Sequence, residues 1–187
     1  MLTLKSYYIK YKPFLTFVTK FFLIYILLSW IYGFYLDQFD KTTFEPDGIT
    51  TLVSDQTRNL LTFFGVEATT MPHELEASHK FMVNGKFVAR IVEGCNAVSV
   101  MILFVAFVVA FKGKLKHTIL YSVAGILIIH ILNIIRIALL ALALFYYPQY
   151  QEFLHGTVFP LVIYGVVFIL WIVWVNKFSV YAVDTKK

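Results

Sequence analysis

Four long apolar segments constrain this chain more than any other feature. They cover residues 14–36, 97–111, 118–147 and 157–175. A helix needs about 20 apolar residues to cross the hydrocarbon core of a bilayer. The second segment reaches that length only if its helix starts near Cys95, and the third is long enough to tilt or to project beyond the bilayer. The sequence therefore predicts an all-α polytopic membrane protein with about four transmembrane helices. Residues 1–187 are predicted to form a single integral membrane domain.

Composition supports the same class, because 59% of the residues are hydrophobic and only 14% are charged, unlike a water-soluble domain. The lysines lie in three clusters beside the apolar segments, and such clusters favour the cytoplasmic side. They are Lys5, Lys10 and Lys12; Lys112, Lys114 and Lys116; and Lys177, Lys186 and Lys187. This predicts cytoplasmic termini and outward-facing connections at residues 37–94 and 148–156. The first span is predicted to be retained, because the bulky residues around Ser29 leave no small-residue cleavage site. Orientation accounts for the basic surplus, so no nucleic-acid partner is predicted.

The long outer connection, residues 37–94, carries nine acidic and five basic side chains. Asn84-Gly85 stands between two apolar runs, which is the strongest short-range signal for a β-hairpin. An amphipathic helix is predicted from Ser54 to Phe64, capped by Ser54 or Asp55, on the outer surface. The connection is therefore an extracytoplasmic loop with some structure of its own, and it leads directly into Cys95.

Three reactive side chains are predicted to share one level at the outer boundary. Cys95 stands at the mouth of the second span, and His155 stands at the mouth of the fourth. Arg136 lies about 27 Å along a helix that starts at Thr118, and Asn133 lies one turn earlier on the same face. An arginine inside a membrane helix usually faces the bundle and has a function. These residues form the candidate site, although each also has a structural interpretation as a packing, snorkelling or capping residue.

Other kinds of site find less support. A single cysteine excludes an intrachain disulfide and a CxxC pair. His73, Glu74 and His79 lack the HExxH spacing, so no metal is assigned, and no cofactor is predicted. His130, deeper in the third segment, is interpreted as a structural hydrogen-bonding residue.

The motifs, in their order, resemble the exosortase and archaeosortase family, and most closely the short type F exosortases of Bacteroidetes. The matching segments are Glu93-Gly94-Cys95-Asn96-Ala97-Val98, Asn133-Ile134-Ile135-Arg136 and Leu154-His155-Gly156. Ala97 is a departure, because many relatives have glycine there. The resemblance implies a multi-pass protein of the bacterial inner membrane with its active site on the extracytoplasmic side.

The resemblance also implies a cysteine transpeptidase or protease with Cys95, Arg136 and His155 as catalytic residues. Asn133, Asn96 and Glu93 are accessory residues, and Glu93 could orient His155. The implied substrates are exported proteins whose C-terminal sorting signal comprises a short motif, a hydrophobic helix and a basic tail. Cys95 would form a thioester, which water or an amine on a lipid or glycan acceptor would resolve. Membrane lipids are the other expected partners.

Two further functions stay open on the residues alone. One is a non-catalytic assembly factor in which Asn133 and Arg136 bind a partner helix or an anionic lipid. The other is a transporter, although polar residues gathered at one level give no continuous path.

Overall fold

A computed structural model describes residues 4–39 and 44–179 of the chain, and this part is mostly helical. The α-helices are α1 (Leu4–Leu36), α2 (Gly48–Phe63), α3 (Val98–Ala110), α4 (Leu115–Tyr146), α5 (Gln151–Phe153) and α6 (Phe159–Val173). The strands are β1 (Ala68–Pro72), β2 (Ser78–Val83) and β3 (Lys86–Val92). Short 3-10 turns lie at Glu93–Cys95 and Pro148–Tyr150, and π-helical turns lie at Leu154–Val158 and Trp174–Phe178.

Three helices in the described part are long and apolar enough to cross a membrane: Tyr11–Leu36, Leu115–Tyr146 and Pro148–Phe178. The predicted polytopic helical class is confirmed. The second predicted span differs, because α3 has only 13 residues and is therefore about 20 Å long. Helix α3 begins at Val98 and so does not include Cys95. Ala97 before it is left-handed (φ 62°), and Phe111 after it is extended (φ −85°, ψ 112°).

The predicted hairpin is confirmed and belongs to a larger sheet. Val83 pairs with Lys86 across Asn84 and Gly85, whose φ angles of 48° and 73° are those of a two-residue turn that matches strand twist. β1 adds an antiparallel third strand on the other edge of β2. This strand was not predicted, because five residues ending in Pro72 give too short a pattern to distinguish from a loop.

The predicted start of the amphipathic helix was wrong. α2 begins at Gly48, and its N-cap is Asp47, whose carboxylate accepts hydrogen bonds from the amides of Ile49 and Thr50 at 3.0 Å each. Ser54 lies inside the helix, is fully buried and bonds to Thr70 on β1 at 2.6 Å. The two threonines at positions 50 and 51 hid the first turn, since β-branched residues indicate strand more often than helix.

Two hydrophobic clusters divide the fold along α4. The first half of α4 packs with α3 and α6, around Phe104, Ile129 and Trp174. The second half contributes Ile137, Ala138 and Ala141 to a separate cluster with α2 and the sheet. This second cluster explains why α4 is longer than a membrane span requires. The point where the two clusters meet is the level of Arg136.

Contact between α3 and α4 depends on a glycine. A Cβ built at Gly125 would lie 2.2 Å from two ring carbons of Phe104, a side chain that is fully buried. We expect Gly125→Ala to lower stability by about 1–3 kcal/mol, the usual cost of overpacking a core. The measurement is the thermal unfolding midpoint in detergent.

Gly165→Ala is the matched control, because a Cβ at Gly165 in α6 meets nothing within 4 Å. Alanine there should leave the midpoint unchanged or raise it slightly. Equal midpoints for the two variants would contradict the close approach of Phe104.

His79 on β2 should make stability depend on pH. The side chain is 5% exposed, and burial lowers its pKa, with Asp55 and Asp47 opposing the shift. The unfolded chain therefore binds a proton more readily than the folded chain, so stability is full above the ordinary histidine pKa of about 6.5 and falls as the pH drops below it. His79→Gln, which cannot titrate, should show a smaller loss of thermal midpoint between pH 7 and pH 5. An equal loss would assign the pH dependence to other groups.

Candidate active site

Cys95 ends a 3-10 turn between β3 and α3. The turn is followed by Asn96 and by Ala97, whose φ of 62° lies in the left-handed region. That conformation costs a non-glycine residue roughly 1–2 kcal/mol, which gives a physical reason why glycine suits this position. The strained backbone beside the thiol persists because its neighbour Asn96 is held on several sides.

Asn96 is 1% exposed, and its side-chain amide makes three hydrogen bonds. Its carbonyl oxygen accepts from the Val98 amide at 2.9 Å, which supports the first turn of α3. Its amide donates to the Tyr32 hydroxyl at 2.8 Å and to Thr50 Oγ1 at 3.2 Å. One side chain thereby joins α1, α2 and the cysteine turn.

Tyr32 extends this network to the other end of the turn. Its hydroxyl donates to Glu93 Oε1 at 2.8 Å. The sequence suggested Glu93 as an orienting group for His155, but the hydrogen bond of its carboxylate in the structure is with Tyr32. Thr50 in turn donates to Asp47, the N-cap of α2. Tyr32 is thus hydrogen-bonded to Glu93 before Cys95 and to Asn96 after it.

Asn133 connects α4 to the cysteine turn. Its amide donates to the backbone carbonyl of Cys95 at 2.7 Å, and its carbonyl oxygen accepts from an Nη atom of Arg136 at 3.2 Å. The three-residue spacing puts both side chains on one face of α4. Asn133 is completely buried, so it fixes Arg136 and Cys95 relative to each other.

Arg136 retains a free donor. Within the described residues its Nε is buried and has no hydrogen-bond partner. A buried donor without an acceptor is costly, and sites of this kind are often completed by a bound group. Arg136 also lines a cavity that it shares with Cys95, so its guanidinium can donate to an anionic or carbonyl oxygen that enters there.

His155 lies in the π-helical turn Leu154–Val158, just before α6. The turn closes with the Phe159 amide bonded to the Leu154 carbonyl. Pro160 explains the wider turn, because it has no amide with which to continue the α-helical pattern to Gly156. π-helical turns are rare and often occur at functional sites, and this one was not predicted from the sequence.

A cavity of about 260 Å³ brings the predicted residues together. Cys95, Arg136 and His155 all contribute to its wall. Arg90 and Gln151 add polar atoms, and the remaining wall is apolar, formed by β2, β3 and the second half of α4: Phe81, Ala89, Ile91, Val92, Ile137, Leu140, Ala141 and Leu144. Cys95 is half-buried, so the thiol is reachable from the cavity but not fully solvated.

This arrangement provides the parts that nucleophilic catalysis needs. A thiol, a permanent cation and an imidazole line the same cavity, and the imidazole can carry a proton. Asn133 contacts the backbone of the cysteine residue, so its part is to position the thiol and the guanidinium. The other residues considered from the sequence have separate contacts: His130 bonds to Gln56 of α2 at 2.8 Å, and Glu74 pairs with Lys80 at 2.7 Å.

Tyr32, Thr50 and Asp47 are the site residues that sequence reasoning missed. Each lies far from Cys95 in the sequence, and none belongs to the three motifs. A weak signal existed for Asp47, whose position before Gly48 and a helix is typical of an N-cap. No pattern identifies Tyr32, because one tyrosine near the end of an aromatic-rich span is indistinguishable from an interfacial anchor.

Tyr32→Phe should loosen the cysteine turn. The change removes the donor to Glu93 and the acceptor for Asn96, and each hydrogen bond is worth about 1 kcal/mol. We expect a lower thermal midpoint together with faster labelling of Cys95 by a maleimide, since the turn opens more often. Tyr25→Phe is the control, because that ring stacks on Phe21 two turns away. Equal labelling rates in both variants would show that Tyr32 does not restrain the turn.

Comparison with known proteins supplies the family. A family model described as a transmembrane exosortase matches residues 14–175, which contain every residue of the cavity wall. Searches of curated proteins and of solved structures return no match. The family match covers most of the chain. The chain belongs to the transmembrane exosortase family.

Proposed function

We propose that this protein is a membrane-embedded cysteine transpeptidase or protease that cleaves a C-terminal sorting signal from exported proteins. Family membership supports a membrane enzyme of protein sorting in general. The observation that carries the specific chemistry is the shared cavity of Cys95, Arg136 and His155. The site faces the extracytoplasmic side of a bacterial inner membrane, with both termini in the cytoplasm.

The first half-reaction forms a thioester. The Cys95 thiolate attacks the scissile carbonyl carbon, and a C–S bond forms while the carbonyl oxygen becomes an oxyanion. The Arg136 guanidinium, which lines the cavity, donates to that oxygen, the kind of stabilisation that acts on charge developing in the transition state. The C–N bond then breaks, and His155 gives its proton to the departing amine.

The second half-reaction releases the protein. His155, now neutral, takes a proton from water or from the amine of a lipid or glycan acceptor. The acceptor attacks the thioester carbon, the C–S bond breaks and the thiolate is restored. Water gives a free carboxylate, and an amine gives a new amide.

The wall of the cavity favours a substrate that enters from the membrane boundary. The apolar residues come from the sheet and from α4, and Cys95, Arg136 and His155 line the same cavity. A segment that leaves a hydrophobic helix would place its side chains against the apolar wall and its peptide carbonyl near Arg136. The implied partner is therefore an exported protein still held by its C-terminal helix.

Trapping the thioester tests this proposal. Membranes containing this protein and a tagged exported protein with a C-terminal hydrophobic helix and basic tail are treated with hydroxylamine, a nucleophile that intercepts thioesters. We expect a shortened protein that ends in a hydroxamate, detected by mass spectrometry. A shortened protein that ends only in a carboxylate at saturating hydroxylamine would contradict a thioester.

The assembly-factor alternative gives a different pattern. In that case the tagged protein stays full length with or without hydroxylamine, and Cys95→Ala supports its assembly as well as the unmodified protein does. Labelling of Cys95 in intact cells by a membrane-impermeant maleimide tests the proposed side of the membrane. Labelling only after permeabilisation would place the site inside and contradict the sorting mechanism.

A further inference from the structure

A second and larger cavity lies at the end of α3 that is opposite Cys95. It is a groove of about 600 Å³ between α1 and the segment that follows α3. Its walls include Lys12, Lys20 and Lys112, together with the rings of Phe17 and Phe111. The two rings meet edge to face with centroids 5.3 Å apart. The groove therefore combines an apolar floor with three cationic side chains, and the proposed reaction uses none of them.

None of the described carboxylates forms an ion pair with the three lysines of this groove. The nine described acidic residues lie between Asp37 and Glu93 or at Glu152, and the other two, Asp40 and Asp184, lie outside the described residues. In the described part, the ion pairs join Arg58, Lys80 and Arg90 to carboxylates of α2 and the outer loop. Three neighbouring lysines repel one another unless an anion from outside neutralises them.

Lys20 makes the need for an anion more specific. It lies inside the candidate span Tyr11–Leu36, eight residues after Lys12 and so about 12 Å further along the helix. A lysine within a span is stabilised when its side chain reaches a polar or anionic group at the boundary. The groove is the place where Lys20 and Lys12 can reach the same group.

The short α3 leaves room for an amphiphile. Its 13 residues extend for about 20 Å, whereas the hydrocarbon core is about 30 Å thick. Beyond Ala110 the chain leaves the helix at Phe111, so α3 alone is about 10 Å shorter than the hydrocarbon core. An acyl chain against the aromatic floor would fill that depth while its phosphate meets the lysines.

From the apolar floor, the three cations and the shortened helix, we propose that this groove binds the headgroup phosphate of an anionic phospholipid. The site is separate from the Cys95 cavity and does not depend on the proposed reaction. Its role is to seal and brace the contact between α1 and α3, which hold Tyr32 and the cysteine turn at the other end.

The test uses the full chain purified in a mild detergent. Probes are dioleoyl phosphatidylglycerol, dioleoyl phosphatidylcholine and inorganic phosphate, and the readouts are lipid retention by native mass spectrometry and the thermal midpoint. We expect retention and a raised midpoint with phosphatidylglycerol only. The triple variant Lys12→Gln, Lys20→Gln, Lys112→Gln should lose affinity by roughly fivefold for each lysine, about a hundredfold in all.

The control is Lys114→Gln, Lys116→Gln, Lys177→Gln, which removes the same charge at the same end but outside the groove. It should retain most of the affinity. Equal losses in the two triple variants, or equal binding of phosphatidylcholine, would overturn the site, and protection by inorganic phosphate alone would assign it to a free anion. If the groove variant is poorly folded, Lys20→Gln alone should lose about fivefold, and an unchanged affinity would overturn the proposal.

Discussion

Replacing Cys95 with alanine is expected to reduce processing of an exported substrate by about 10⁴-fold or more, the usual result of removing a covalent nucleophile. The thiol supplies the attacking atom, and no other cysteine exists in the chain to substitute for it. Because Cys95 is half-buried at a cavity wall, the smaller alanine should cost little stability. The measurement is the rate of conversion from full-length to shortened substrate, with protein amount and thermal midpoint compared in parallel.

Two further variants make the result specific. Cys95→Ser keeps the size of the side chain but is a weak nucleophile at neutral pH, so it should be as inactive as alanine. Ser99→Ala alters an exposed residue in the first turn of α3 and should process normally. Normal processing by Cys95→Ala would remove the basis for a thioester and favour the assembly-factor alternative.

The fold was predictable where local physics dominates. Long apolar runs predict helices because a span must satisfy its own backbone, and Asn84-Gly85 predicts a hairpin because few residues accept positive φ twice in succession. The length of α3 was not predictable in this way. Its start depends on the left-handed Ala97 and on the hydrogen bonds that the Asn96 amide donates to Tyr32 and Thr50, and these two acceptors come from other helices.

The same division holds for the site. Helical rise predicted one common level for Cys95, Arg136 and His155, and the structure places all three on one cavity wall. Rotation about each helix axis was not available from the sequence. It is determined by packing, as when Ile137 and Ala138 of α4 turn toward the sheet and so leave Arg136 facing the cavity. Whether these residues are catalytic stays a prediction.

Arg136 provides the second large expected effect. Arg136→Gln should lower the processing rate by about 10²–10³-fold, the range for loss of one oxyanion donor. Lysine keeps the charge but lacks the planar fork with which arginine can bond Asn133 and a second acceptor at the same time, so the processing rate of Arg136→Lys should fall between those of Arg136→Gln and the unmodified protein. Arg90→Gln is the matched control, because Arg90 lines the same cavity but pairs with Glu76. Its processing rate should change little.

Variants of Asn133 test whether Arg136 acts on the reaction or only stabilises the helix packing. Asn133 bonds both the Arg136 guanidinium and the Cys95 carbonyl, so Asn133→Ala misplaces both groups. If Arg136 acts through the geometry that Asn133 provides, the double variant Asn133→Ala, Arg136→Gln should lose less processing rate than the product of the two single fold-losses. If Arg136 were purely structural, Arg136→Gln would lower the thermal midpoint and the activity in proportion. Normal processing by Arg136→Gln at full stability would contradict a role of Arg136 in the reaction.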